Sequence, residues 1–273
     1  ERQAGVIASL TADLTARDTF PGPPSSPALP PHVPDQTPLL RTTPDGLYCE
    51  DGDFFVDPWR PVARAVITHA HADHARPGSA AYLSSREGEA LLRHRLGADL
   101  PLETVAWGER RRMGHVTISV HPAGHIRGSA QVRIERGGEV WVVTGDYKRV
   151  ADPTCTPFEV VRCHTLITEA TFALPIYRWA QTAEVVAEVA QWVRDCHASS
   201  RTPILYTYAL GKAQRLLAEL APWVDAPVLV HGSLEPINAL YRAAGVALPA
   251  TALVTDRPKR ERIEGALVLA PPS

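Results

Sequence analysis

Cysteine is scarce in this 273-residue chain, and its four copies, Cys49, Cys155, Cys163 and Cys196, show no CxxC spacing. A chain of this size can bury a core without covalent staples, so no disulfide framework is expected and the four read as reduced structural thiols. Long apolar runs are also missing: nothing reaches membrane-spanning length, and no basic, apolar and small-residue signal-peptide pattern opens the chain. That argues for a cytoplasmic protein with no membrane partner. Excess charge of one sign is lacking as well. With a net charge of −2 the chain has no global electrostatic footprint for nucleic acid. Two local basic clusters, Arg110-Arg111-Arg112 and Arg257-Pro258-Lys259-Arg260, are expected to be solvated surface.

What is present is ordinary for a soluble enzyme, with 45% hydrophobic and 21% charged residues. Many of the 25 prolines gather near the start, around Pro21–Pro27, after a short amphipathic pattern at Val6–Leu14. Residues 1–37 are therefore expected to be a disordered tail. From Leu39 onward short β-rich segments alternate with turn signals, including Asp51-Gly52 and Gly137-Gly138 between apolar runs. A helix is expected over about Arg86–Leu96, with Gly97 as its stop. Past Trp179 the texture becomes alternating helix and strand: Thr182–Arg194, Ile204–Tyr208, Gly211–Leu220, Val228–Val230, Pro236–Ala244 and Ala266–Ala270. This βαβ rhythm implies a parallel sheet covered by helices, in a second and smaller domain.

The chemistry concentrates in Thr68-His69-Ala70-His71-Ala72-Asp73-His74, which follows the short apolar run Ala63–Ile67. Imidazole nitrogens and a carboxylate at a strand's end suit a zinc-like ion doing hydrolysis. On such a loop the backbone can turn, so that His69 and His71 face one ion while Asp73 and His74 face a second. Two later strand ends offer further ligand types, His125 after Val116–Val120 and Asp146 after Glu139–Thr144. Taken singly, His125 reads equally as a turn histidine and Asp146 as a cap. Their shared strand-end placement makes His125 the third histidine of the first ion and Asp146 a bridge between both. Glu169, after Leu166–Thr168, repeats the device; it reads either as a carboxylate that orients an outer histidine or assists proton transfer, or as a residue near a helix N-terminus.

The order HxHxDH, then His125, then Asp146 resembles the metallo-β-lactamase signature. That resemblance implies an α/β fold, an αββα sandwich, and two divalent ions, zinc favoured with manganese as the alternative. Glu169 and the run Tyr208-Ala209-Leu210-Gly211-Lys212-Ala213-Gln214-Arg215 are similar to the β-CASP nuclease branch, which carries an inserted parallel α/β domain. Leu40–Tyr48, the stretch from His121 to Val132 and Ala270-Pro271-Pro272 are similar to bacterial ligase-associated DNA exonucleases, over about residues 38 to 273. The resemblance implies a metallo-β-lactamase domain over 38–178, a β-CASP domain over 179–265 and, at 266–273, the start of a return to the first domain. It further implies a DNA exonuclease of DNA repair, with DNA favoured over RNA, and functional association with a DNA ligase and a helicase. His69, His71, Asp73, His74, His125 and Asp146 would be metal ligands, and Asp73, Asp146 and Glu169 catalytic. Ser129, Lys148, Lys212 and His231 would contact substrate. An RNA-processing ribonuclease, a lactone or thioester metallohydrolase, and a catalytically incomplete binding module are the rival readings.

The family pattern continues with two further histidines after the point where Ser273 stands. On that pattern the 273-residue chain is expected to hydrolyse DNA poorly or not at all even when metal-loaded. The comparison is exonuclease rate for this chain against one extended to its natural end, at equal occupancy of the first ion. Equal rates would show the further histidines to be dispensable.

Overall fold

The protein is described by a computed structural model over residues 37–224, 227–257, 263 and 265–272. The expected tail up to residue 36, and residues 258–260 of the second basic cluster, lie outside the described residues. The chain divides into two compact units, one running to Ala151 and including Thr156–Thr171, the other comprising Asp152–Cys155 and Phe172 onward.

The first unit contains two sheets. A six-stranded sheet takes β1 (Arg41–Thr43), β2 (Gly46–Cys49), β3 (Phe54–Val56), β4 (Ala65–Val66), β5 (Tyr82–Ser85) and β6 (Leu102–Val105) in chain order. Pairing is antiparallel up to β3 and parallel from β3 to β6. The second sheet has five strands: β7 (Arg111–Met113), β8 (Val116–Pro122), β9 (Ala130–Arg136), β10 (Glu139–Val143) and β11 (Thr165–Ile167), in the order β11-β10-β9-β8-β7. Side chains alternate across a strand, so Val116, Ile118 and Val120 of β8 share one face with Val132 and Ile134 of β9. That face packs with Phe54, Val56, Val66, Leu83 and Val105 of the first sheet in one buried core. The core fixes which strand ends lie side by side, and so brings the loops after β4, β8 and β10 together.

Between β5 and β6 the Ser85 hydroxyl accepts from the Gly88 amide and caps a 3-10 turn, Arg86–Gly88, that leads into α1 (Glu89–Leu96). Gly97 ends α1 at φ 117°, as the sequence implied. The Gly137-Gly138 turn joins β9 and β10 as an antiparallel hairpin, also as implied. Strand β7 escaped notice because its residues read as a basic cluster. Arg110 pairs with Glu135 at 3.0 Å and Arg111 with Glu103, so these charges guard a sheet edge instead of forming a bare cationic patch.

The second unit holds α2 (Thr182–Ala198), β12 (Ile204–Tyr206), α3 (Lys212–Leu220), β13 (Val228–Val230), α4 (Glu235–Ala243), β14 (Thr251–Leu253) and β15 (Val268–Ala270). Its four strands are parallel, in the order β12-β15-β13-β14. The outcome differs from expectation at the end of the chain. Val268 pairs with both Ile204 and Leu229, so β15 lies inside this sheet and does not start a return to the first unit. The physical reason is visible in Ala266-Leu267-Val268-Leu269, buried throughout: an uninterrupted apolar run suits a central parallel strand covered on both faces.

Leu269 is fully buried and packs with Leu217, Leu220, Val228 and Val230. Leu269→Ala should destabilise this unit by about 2–5 kcal/mol. Hydrogen exchange should then show lost protection in β12 and β13 while β8 and β9 keep theirs; uniform loss would mean that the two units unfold as one.

Candidate metal centre

The loop after β4 begins at Thr68, and its geometry is set by a residue that sequence reasoning passed over. Asp57 follows β3 and is one of the few non-glycine residues with positive φ, 44°. Its Oδ1 accepts the Thr68 amide at 2.8 Å, and its Oδ2 accepts the Thr68 hydroxyl at 2.6 Å. The same Oδ2 lies 2.7 Å from Nδ1 of His74. A threonine hydroxyl has one hydrogen, and here Asp57 takes it. The contact of 3.0 Å between the Thr68 oxygen and His69 Nδ1 must therefore be donated by the imidazole. This fixes the His69 tautomer and leaves the lone pair on Nε2. By the same logic His74 donates from Nδ1 and turns its Nε2 inward.

His69 Nε2 lies 3.0 Å from His71 Nδ1, which lies 3.1 Å from His125 Nε2. Asp146 Oδ2 completes the group at 3.9 Å from His69 Nε2 and 3.6 Å from His125 Nε2. All four donor atoms fall within 4.8 Å of one another. Zinc bonded to nitrogen at about 2.0–2.1 Å would space tetrahedral ligands by about 3.3 Å, so these separations fit one divalent ion. Lone pairs crowded this closely repel unless a cation, or a hydrogen carried by one of the rings, lies between them. A second, more open grouping adjoins the first: His74 Nε2 is 3.3 Å from Asp146 Oδ1 and 3.6 Å from Asp73 Oδ2, with the Asp73 side chain 74% exposed.

Electrostatics separate the two groupings. Burial, aided by the charges of His74, His71 and His125, holds His69 well below the ordinary histidine range. Burial and neighbouring His71 likewise bring His125 down to about 4, although Asp146 opposes this. Both are neutral donors at pH 7. Burial disfavours charge at His74 too, yet its hydrogen bonds to Asp146 and Asp57 outweigh burial and raise it to about 10. Asp146 is held below the usual carboxylate range; burial works against this, and the hydrogen bond from His74 prevails. A cation entering at His74 must therefore displace a proton, whereas His69, His125 and Asp146 of the first group are already in their binding forms.

The loop bearing His125 is braced from within. Ser129, expected to contact substrate, is 2% exposed, and its hydroxyl accepts the amides of His125 at 3.0 Å and Ile126 at 3.2 Å. It is a turn brace and not a substrate contact, because a hydroxyl facing two inward amides has no route to solvent. Gly128 has φ 75°, and a β-carbon there would fall 2.2 Å from the Gly88 backbone. The Ser85 hydroxyl donates to the Gly128 carbonyl, and Arg127 pairs with Glu87 at 3.3 Å. On the third loop, Gly145 at φ 54° lets the backbone approach Thr68 so closely that an added β-carbon would lie 2.6 Å from that side chain. Glu169 accepts the Tyr147 amide at 3.1 Å and the Thr171 hydroxyl at 2.8 Å, and so grips the residue next to Asp146. The Lys148 amide donates to Ala123, and its ammonium is among the charges that lower His125. Lys212 and His231 belong to the second unit. There both are exposed, Lys212 opening α3 and His231 following β13, with the His231 Nδ1 2.8 Å from the Ser233 hydroxyl.

No family model matches the sequence. The chain is 32% identical over 237 residues to a "Probable DNA ligase" of Opitutus terrae, covering 83% of this chain and 22% of that protein. It is 28% identical over 190 residues to "Endoribonuclease ysh1" of Aspergillus fumigatus, 65% of this chain and 21% of the relative. An "RNase J-like protein" of Methanocaldococcus jannaschii is 25% identical over 145 residues, 49% of this chain and 34% of the relative. These relatives support the metallo-β-lactamase and β-CASP nuclease family. The chain covers only about a fifth of the first two relatives' own length. Among the described residues no helix is long and apolar enough to cross a membrane.

Two substitutions test the centre by metal content. His125→Ala should remove the bound ion from the folded protein, and full metal content by elemental analysis would exclude His125 from the site. Asp57→Asn keeps shape but cannot accept all three hydrogens, and should weaken metal affinity by about 10–100-fold in chelator competition. Unchanged affinity would show that the tautomers are set elsewhere.

Proposed function

We propose that this chain is the metal-binding core of a phosphodiesterase, a β-CASP nuclease of the ligase-associated DNA exonuclease type. The observation that carries the reading is the convergence of His69, His71, His125 and Asp146 from three separate loops onto one point. In this reading those four residues hold a first ion, and Asp73, His74 and Asp146 hold a second. Zinc is the proposed metal and manganese the alternative, since imidazole and carboxylate donors suit both. Divalent ions so bound would lower the pKa of water toward neutrality and draw charge from a scissile phosphate.

The protein's own groups have distinct tasks. Asp146 offers one oxygen to each grouping and so keeps them in register. Asp73, exposed at the rim, orients the attacking oxygen. Asp57 keeps His69 and His74 in the tautomers that bind metal. Glu169 acts as a positioning residue by holding the Asp146 loop through the Tyr147 amide. Lys148 is the proposed phosphate contact in the first unit, with Lys212 and His231 in the second, which we read as the inserted β-CASP domain. DNA is favoured over RNA because the relative at 32% identity is named a probable DNA ligase. A segment like this one within such a protein also supports functional association with a ligase; a helicase partner rests on the family resemblance alone. A ribonuclease is the second reading, favoured by the relatives named endoribonuclease.

The deciding assay follows end-labelled DNA and RNA strands and a lactone with zinc, manganese or chelator. It uses the chain with any residues its gene encodes beyond Ser273. Metal-dependent cleavage of DNA, falling about 100-fold or more in Asp146→Ala, is expected. Lactone hydrolysis without strand cleavage would overturn the reading, and a preference for RNA would move it to the second.

A further inference from the structure

The segment Phe172–Trp179 of the second unit exposes apolar side chains that a folded chain ordinarily hides. Phe172 is 57% exposed, Leu174 61%, Ile176 76%, Tyr177 44% and Trp179 73%. Scattered exposed apolar residues need no explanation, but five within eight consecutive positions form a patch, and patches of this kind mark binding surfaces.

The rings are ordered with respect to one another. Phe172 meets Tyr177 edge-on at 5.2 Å between centroids and meets Trp179 edge-on at 5.1 Å. Tyr177 and Trp179 lie nearly parallel, with 10° between their planes and 6.5 Å between centroids. Each edge-on contact holds two rings in place and uses the edge of one and a single face of the other, which leaves that ring's opposite face open. The backbone closes the segment, with the Tyr177 amide donating to the Leu174 carbonyl at 3.1 Å. Three mutually braced rings therefore stand in solvent without joining a core.

Charge narrows the occupant. From Ala170 to Gln181 the sequence carries one cation, Arg178, which stands between Tyr177 and Trp179 in the chain, and no acidic residue. Open π faces with an interleaved arginine suit a ligand that alternates planar rings with anions. The bases of a nucleic acid offer free faces for stacking only where they are unpaired, and such stacking tolerates any sequence. In the chain this segment begins three residues after Glu169.

We propose that Phe172, Tyr177 and Trp179 form a stacking platform for the bases of single-stranded nucleic acid, with Arg178 meeting the phosphates. The proposal rests on the nuclease reading above and deepens it, since it names residues outside the metal centre that would grip an unpaired strand through its bases. A purely apolar partner peptide would make no use of Arg178, and a second copy of the chain would bring a second arginine to the same place.

The test measures binding of two fluorescent phosphorothioate strands of equal length, about twelve units, to the zinc-loaded chain by anisotropy. One is oligothymidylate and the other is abasic throughout. The chain should bind the thymidylate strand about tenfold more tightly than the abasic one. Trp179→Ala should remove most of that preference, Trp179→Phe should restore it in part, and Arg178→Ala should weaken both strands alike. Equal binding of the two strands by the unaltered chain, or equal weakening of both by Trp179→Ala, would overturn the proposal. So would a dimer in sedimentation that Trp179→Ala dissociates. Metal-dependent hydrolysis of bis(p-nitrophenyl) phosphate by the unaltered chain is read in parallel. If that hydrolysis is present and the base preference is absent, the platform fails while the nuclease reading stands. If the base preference is present and no strand or small diester is cleaved by the gene's full-length product, the nuclease reading fails while strand binding stands.

Discussion

The carboxylate of Asp57 is the constraint on which the candidate centre depends. Three hydrogens from two residues, the Thr68 amide, the Thr68 hydroxyl and the His74 ring, end on its two oxygens. Because the hydroxyl is spent on Asp57, His69 has no choice of tautomer, and the burial of His69 then keeps its inward nitrogen unprotonated. A neutral residue at position 57 would leave buried donors competing for acceptors, and the histidines would be free to turn. The first unit thus uses one negative charge at the end of β3 to set donors delivered by the next strand. The other loops are braced by backbone contacts: Gly145 against Thr68, and Gly128 against Gly88.

Much of this was legible in the sequence because metal chemistry writes itself in residue types. His69, His71, Asp73 and His74 are conspicuous together, His125 follows the alternating run Val116–Val120, and Asp146 follows the apolar run through Val143. Hairpins at Asp51-Gly52 and Gly137-Gly138 and the stop of α1 at Gly97 are local effects and are legible locally. Asp57 was passed over because an aspartate before proline looks like any turn, although it too sits at a strand's end. Ser129 was misjudged because sequence tells nothing of which way a loop hydroxyl faces. The pairing of β15 with β12 and β13 was beyond local reading. Its partners lie some sixty and forty residues upstream, and only the apolar run through Leu269 hinted at a buried strand.

The distribution of charge also departs from a simple picture of polyanion binding. Arg110, Arg111, Arg133 and Arg136 face Glu135, Glu103, Asp51 and Glu139, so several conspicuous cations of the first unit are occupied within it. The hydrogen bond from Arg110, with Arg133, holds the Glu135 carboxyl below its ordinary range, with burial opposing. Such pairs tie strand edges together and contribute little long-range field. Under the nuclease reading proposed above, these four arginines would add little to the hold on a nucleic acid, and affinity would fall with salt less steeply than for a protein with a broad basic face.

The place of β15 has a consequence for how the protein is made. Strand β12 is synthesised early in the second unit, yet among the described residues its only ladder partner is β15, which leaves the ribosome last of the described strands. Until then β12 has an unpaired edge on both sides, and β13 has only β14 beside it. The sheet cannot close progressively as the chain emerges; it must wait, with helices formed and strands exposed, for the late arrival that slots between them. During that interval the apolar edges that β15 later covers would stay open to wrong pairing, and a pause in translation before Val268 would lengthen their exposure.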